Sequence, residues 1–127
     1  MADYLIRLPW PPTCLSPNAR KDRRANTKTR NGYKTAAFYA TKEAGAQVAE
    51  DAHLAVQFYP PDNRRRDLDN MLATIKAGLD GIALAAGVDD YGWSLSIQRG
   101  PKVEGGAVLI HVMKPQIAEI PFRGTIG

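Results

Sequence analysis

Residues 67–87 read DLDNMLATIKAGLDGIALAAG, and this stretch decides the fold. Leu68, Leu72, Ile75, Leu79, Ile82 and Ala86 recur at three- and four-residue intervals, with Met71 beside them. That spacing puts them on one stripe of a helix with an apolar face to bury. Asp67 stands where a helix cap belongs. Gly87 follows the last apolar residue, where a left-handed residue commonly ends a helix. The pattern predicts one helix over residues 68–86.

Outward from this helix the chain reads as strands. On the N-terminal side, HLAVQFY (53–59) places Leu54, Val56 and Phe58 on one side of a strand, and PPDN makes a turn. On the C-terminal side, Tyr91, Trp93, Leu95 and Ile97 alternate with Gly92, Ser94, Ser96 and Gln98, which predicts a strand with one buried face. EGG forms a turn before a last strand, AVLIHVM (107–113). Near the start, YLIRL (4–8) is a short strand halted by Pro9, and WPPTCLSPN is an extended loop. Residues 34–51 are alanine-rich and suit a helix despite Gly45. Residues 19–33 are basic without apolar periodicity and read as a mobile loop, and 114–127 read as a tail. The order β-loop-α-β-α-β-β predicts a single α+β (mixed α/β) domain, a small mixed sheet packed with two helices.

The chain has 127 residues, enough for one domain, with 44% hydrophobic and 24% charged residues. Its one cysteine, Cys14, rules out an intrachain disulfide and fits a reducing compartment. The opening MADYLIRLPWPP has no long apolar run, so no signal peptide is expected. No run approaches the roughly 20 apolar residues that cross a bilayer. A soluble, cytoplasmic protein without a membrane partner is the expectation.

The net charge of +4 is unevenly spread. Arg20, Lys21, Arg23, Arg24, Lys28, Arg30 and Lys34 face only Asp22 in their segment, and Arg64, Arg65 and Arg66 form a second cluster. Such clusters suit the phosphates of a nucleic acid. The second cluster runs straight into Asp67 and Asp69, which repel phosphate. Asp89 and Asp90 follow the helix. If the strands before and after the helix share a sheet, Asp90 is expected beside Asp67 and Asp69. Two bare charges about 4 Å apart repel by roughly 4 kcal/mol at an effective dielectric of 20, so such a cluster calls for a cation. All-oxygen ligands favour Mg²⁺, with Mn²⁺ as a substitute. Lys76 lies seven residues after Asp69, on the same flank of a continuous helix, within reach of a phosphate at that metal. Each piece also has a plainer role: an aspartate pair caps helices, a DD pair makes turns, and arginines cover solvated faces. His53 and His111 have no partner at metal-ligand spacing, and Trp10 and Trp93 read as packing residues.

The combination resembles the RusA family of Holliday junction resolvases. LPWPP (8–12) is similar to that family's first strand and proline turn, RRRDLDN (64–70) to its acidic motif, and GVDD (87–90) to the segment carrying its third acidic residue. The resemblance implies a small homodimeric, Mg²⁺-dependent endonuclease that nicks four-way DNA junctions symmetrically. It assigns catalytic and metal-binding roles to Asp67, Asp69 and Asp90, with Asp89 as the neighbouring candidate. The lysine that the family commonly carries four residues after the second motif aspartate is Ala73 here, and Lys76 is the nearest substitute. Asn70 is expected to orient a ligand and Asn18 to touch DNA. Two alternatives stay open: a junction-binding module without catalysis, and a nuclease for other branched DNA such as flaps or forks.

Overall fold

Alternation along three segments builds the sheet. Ile6 and Leu8, then Leu54, Val56 and Phe58, then Val108, Ile110 and Val112 are all buried, while their strand neighbours are less so. The structure is a computed structural model that describes residues 3–16 and 23–115, with the backbone alone for 23–25. The strands are β1 (Tyr4–Pro9), β2 (His53–Tyr59), β3 (Ser94–Arg99) and β4 (Ala107–Met113). They form one sheet in the order β1-β4-β2-β3. β4 pairs antiparallel with both β1 and β2, and β2 pairs parallel with β3, from His53↔Ser94 to Phe58↔Arg99. Helices α1 (Arg23–Glu43), α2 (Leu68–Thr74) and α3 (Lys76–Ala86), with Ile75 at the junction of the last two, bury Tyr33, Ala37, Met71, Ile75, Leu79 and Ile82 in the same core as the strand residues. The fold class is therefore the α+β arrangement that the sequence predicts. Complete burial of a side chain such as Phe58, Ile75 or Ile82 stabilises by about 1.5–3 kcal/mol.

Three elements differ from their predicted form. The basic segment is not a loop from residue 23 onward, because α1 begins at Arg23. Its seam is narrow: Tyr33, Ala37 and Thr41 are buried at four-residue spacing, and packing supplies the stability that periodicity in 23–33 lacks. Residues 19–22 of that predicted loop, 17 and 18 of the proline-rich segment before it, and the predicted tail from 116 lie outside the described residues. At its other end α1 stops at Glu43. Gly45 is left-handed (φ 63°), and the Ala46 amide bonds back to the Thr41 carbonyl at 3.2 Å. This is the closing bond of a glycine-ended helix, and residues 46–51 do not continue it.

The central helix is broken into α2 and α3 at Ile75 (φ −99°, ψ 8°). At the break the Ile75 amide bonds to the Leu72 carbonyl at 3.2 Å, a tighter 3₁₀-type turn, and Thr74 donates its hydroxyl hydrogen to the Met71 carbonyl at 2.6 Å. Finally, β3 starts at Ser94 rather than Tyr91. Asp90–Gly92 form a 3₁₀ turn, and Tyr91 is 92% exposed. As an edge strand β3 buries little, and Leu95 remains 40% exposed.

The helices meet closely. Gly81 lies against the Lys34 carbonyl with no room for a Cβ, and a Cβ on Gly78 would stand 2.8 Å from the Tyr33 ring. Tyr33 in turn donates to the Pro9 carbonyl at 2.7 Å, which ties α1 to the end of β1. Burial pushes its phenol pKa well above the ordinary value.

Candidate functional site

The end of β1 and the loop before α2 form one structure, held by Arg66. Its guanidinium bonds to the Asp62 carboxylate at 2.8 Å and to the Arg64 carbonyl at 3.2 Å. It lies 5.3 Å over the Trp10 ring, and Trp10 packs edge-on against Phe58 with centroids 6.4 Å apart. Arg99, at the end of β3, donates to the Arg66 carbonyl at 2.7 Å. Asp62 also accepts from the Arg64 amide at 3.0 Å. The hydrogen bond from Arg66, followed by that of the Arg64 amide, holds the Asp62 carboxyl well below the usual carboxylate range. Residue 66 is thus fixed from four sides, and Asp67 leaves the loop at a defined place.

A cleft of about 430 Å³ opens there. Trp10, Pro11 and Pro12 form one wall, Asn70, Met71 and Thr74 of α2 form the other, and Arg65, Arg66 and Asp67 border it. Asp67 occupies the cap position of α2, yet its carboxylate makes no capping bond. Asp69 is exposed in the first helical turn. Two carboxylates one residue apart are therefore open to solvent beside an arginine-lined cleft.

Lys76 is not on a continuous helix with Asp69, because the break at Ile75 falls between them. It is exposed and borders a second cleft of about 330 Å³ with Leu15, Arg30, Ala73 and Asp80. Thr74 lines both clefts.

Asp90 does not join Asp67 and Asp69 within the chain. The condition set by the sequence is met, since β2 and β3 share a sheet, but their pairing is parallel. A parallel crossover returns the chain to the starting edge, so the two ends of the α2–α3 connection lie at opposite ends of β3. Arg66 is tied to Arg99, and the Asp90 carbonyl accepts from the Trp93 amide at 3.1 Å, just before Ser94. The intervening strand is about 17 Å long at 3.3 Å per residue. Asp89 belongs to the turn, accepting from the Tyr91 amide at 3.0 Å. Among the described residues no three His, Cys, Asp or Glu side chains stand where they would share a metal ion.

The basic residues divide. Lys28, Arg30 and Lys34 lie on α1 rather than in a loop. Arg23 and Arg24 lie on its first turn, and Arg20, Lys21 and Asn18 fall outside the described residues. Arg64 and Arg65 are exposed, with Arg64 3.4 Å from Asp62, whereas Arg66 is a structural residue with its side chain 19% exposed. Trp10 and Trp93 both pack, the latter donating to the Ala49 carbonyl at 2.9 Å. His53 is bonded by Ser94 and Ser96 at 2.7 and 2.9 Å, and His111 meets Asp3 at 3.2 Å. Sequence reasoning missed Asp62, because a four-residue spacing signals an ion pair on a helix and residues 62–66 form a loop.

No helix among the described residues is long and apolar enough to cross a membrane. No family model matches the chain. A Xylella fastidiosa (strain Temecula1 / ATCC 700964) protein, described as uncharacterized, is 39% identical over 90 residues. That match covers 67% of this chain and 59% of the relative, so the chain spans less than two-thirds of the length of the protein it resembles.

Proposed function

We propose that this chain is a RusA-like, metal-dependent endodeoxyribonuclease that nicks four-way DNA junctions as a homodimer. The observation that carries the reading is the open Asp67 carboxylate at the rim of an arginine-bordered cleft, with Asp69 beside it and neither needed to hold the loop. The donor set fits a hard ion, because Mg²⁺ is commonly bound by one or two carboxylates and completes its shell with water and phosphate oxygens. Held by Asp67 and Asp69, Mg²⁺ or Mn²⁺ would supply Lewis acidity towards a phosphodiester. Arg65 then offsets phosphate charge at the cleft, and Lys28, Arg30 and Lys34 extend the contact along α1. Lys76 serves the neighbouring cleft rather than the Asp67 rim.

Asp90 enters this reading only through a second copy of the chain. Mixing Asp67→Asn and Asp90→Asn variants tests that directly: each alone is inactive, and a mixed dimer regains one complete site. If the mixture stays inactive while each variant still dimerises, a site completed across the dimer is excluded. The separation of Asp90 from Asp67 also favours a second reading, a junction-binding module that does not cut.

A labelled synthetic junction separates the two. The nuclease reading predicts paired nicks in opposing strands with Mg²⁺, none with a chelator, and weak action on linear duplex of the same sequence. Tight, chelator-resistant binding without product in Mg²⁺ or Mn²⁺ supports the binding module. Faster cleavage of flaps or forks moves the substrate class.

A further inference from the structure

The Asp67 cleft has a composition that phosphate binding does not explain. Phosphate is served by exposed arginines, yet this cleft has walls of Trp10, Pro11, Pro12 and Met71 and a volume of about 430 Å³. The same lining includes groups that hydrogen-bond to neutral ligands: Asn70, on the α2 wall opposite Trp10, and Thr13. Asn70 offers both donors and an acceptor, the set that reads a base edge. Arg66, already stacked on Trp10 at 5.3 Å, presents a rigid planar cation at the same wall. Bases taken out of a helix stack on such guanidinium planes as well as on aromatic rings. Arg65 and Asp67 stand at the mouth, where the phosphate attached to such a base would lie.

We propose that this cleft takes one nucleobase swung out of the stack at a DNA branch point, with Asn70 reading its edge. The inference rests on the nuclease reading for its substrate and deepens it by naming the cleft and the side chain that would read a base next to the cut phosphate. A branch point is the place where unstacking costs least, so junction shape and base identity would be read together.

The test places 2-aminopurine, which brightens on leaving the stack, at each position around the branch of a synthetic junction. Binding is followed in Ca²⁺, and cleavage of unlabelled junctions of varied sequence is mapped in Mg²⁺. The expected result is brightening at one position that falls at least severalfold in Asn70→Ala. In parallel, the ratio of cutting at the preferred base to cutting at the next best falls by about tenfold in Asn70→Asp, as loss of one good base contact implies. Cleavage with no brightening at any position, or with a site ratio unchanged in both variants, overturns the pocket and leaves the nuclease standing. Brightening that depends on Asn70 without any cleavage upholds the pocket and sinks the nuclease. Absence of both sinks the two together.

Discussion

The two acidic pairs begin alike and end differently. Asp67 and Asp89 both precede a helical turn, with nearly the same backbone: φ −81°, ψ 139° and φ −87°, ψ 136°. Asp89 uses its carboxylate as the position invites, accepting from the Tyr91 amide. Asp67 does not, although a capping bond is worth about 1 kcal/mol. A carboxylate that forgoes its local partner while its backbone is fixed by Arg66, Asp62, Trp10 and Arg99 is available to a ligand. One that closes its own turn is part of the scaffold. Residue type and cap position are thus the same in both places, and only the bonding distinguishes a site from a turn.

That contrast can be broken by substitution, and the sharpest effect is on rate. Asp67→Asn should lower junction nicking by about 10³-fold, as expected for losing one group that stabilises transition-state charge. Asp89→Asn should leave the rate within about threefold, since an amide oxygen still caps the turn. Equal losses in the two variants would erase the distinction. The arginines offer a smaller test: Arg65→Ala should reduce the salt slope of junction binding by about 1. Arg66→Ala should instead lower the melting temperature, through the lost Asp62 pair and the lost stacking on Trp10. Asp89→Ala should cost about 1 kcal/mol of stability, measurable by denaturant titration, without loss of nicking.

The smallest effect is on acid stability. Asp62 has its pKa lowered in the folded state, chiefly by Arg66, so its contribution is present above the unfolded value near 3.9 and is lost as the pH falls below it. Asp62→Asn should flatten that acid limb of the stability curve and leave the neutral limb unchanged in slope. A variant that loses stability equally at every pH would show that Asp62 acts by packing alone.

The sequence showed the strands β2 and β4 at their observed limits because alternation there is regular and both strands are central. It also showed the end of α3 through Gly87, whose φ of 72° only a glycine adopts easily. It missed the first half of α1 because Tyr33 is the one buried residue of 26–33, and a single apolar residue gives no stripe against a basic background. It missed the break at Ile75 because the apolar stripe continues across it and no glycine or proline marks it. The acidic motif was legible as chemistry. Its isolation from Asp90 was not, because the apolar pattern of two strands does not say whether they run parallel or antiparallel, and that direction decides which loop ends meet.

The most direct measurement pairs cleavage with binding in one sample: wild type and Asp69→Asn on a labelled four-way junction, with Mg²⁺, at matched protein concentrations. The account predicts paired nicks from the wild type, their loss in Asp69→Asn, and junction binding by the variant at least as tight as wild type, since a repelling charge has been removed. Nicking by Asp69→Asn at the wild-type rate would contradict it, as would a wild type that binds the junction and never cuts.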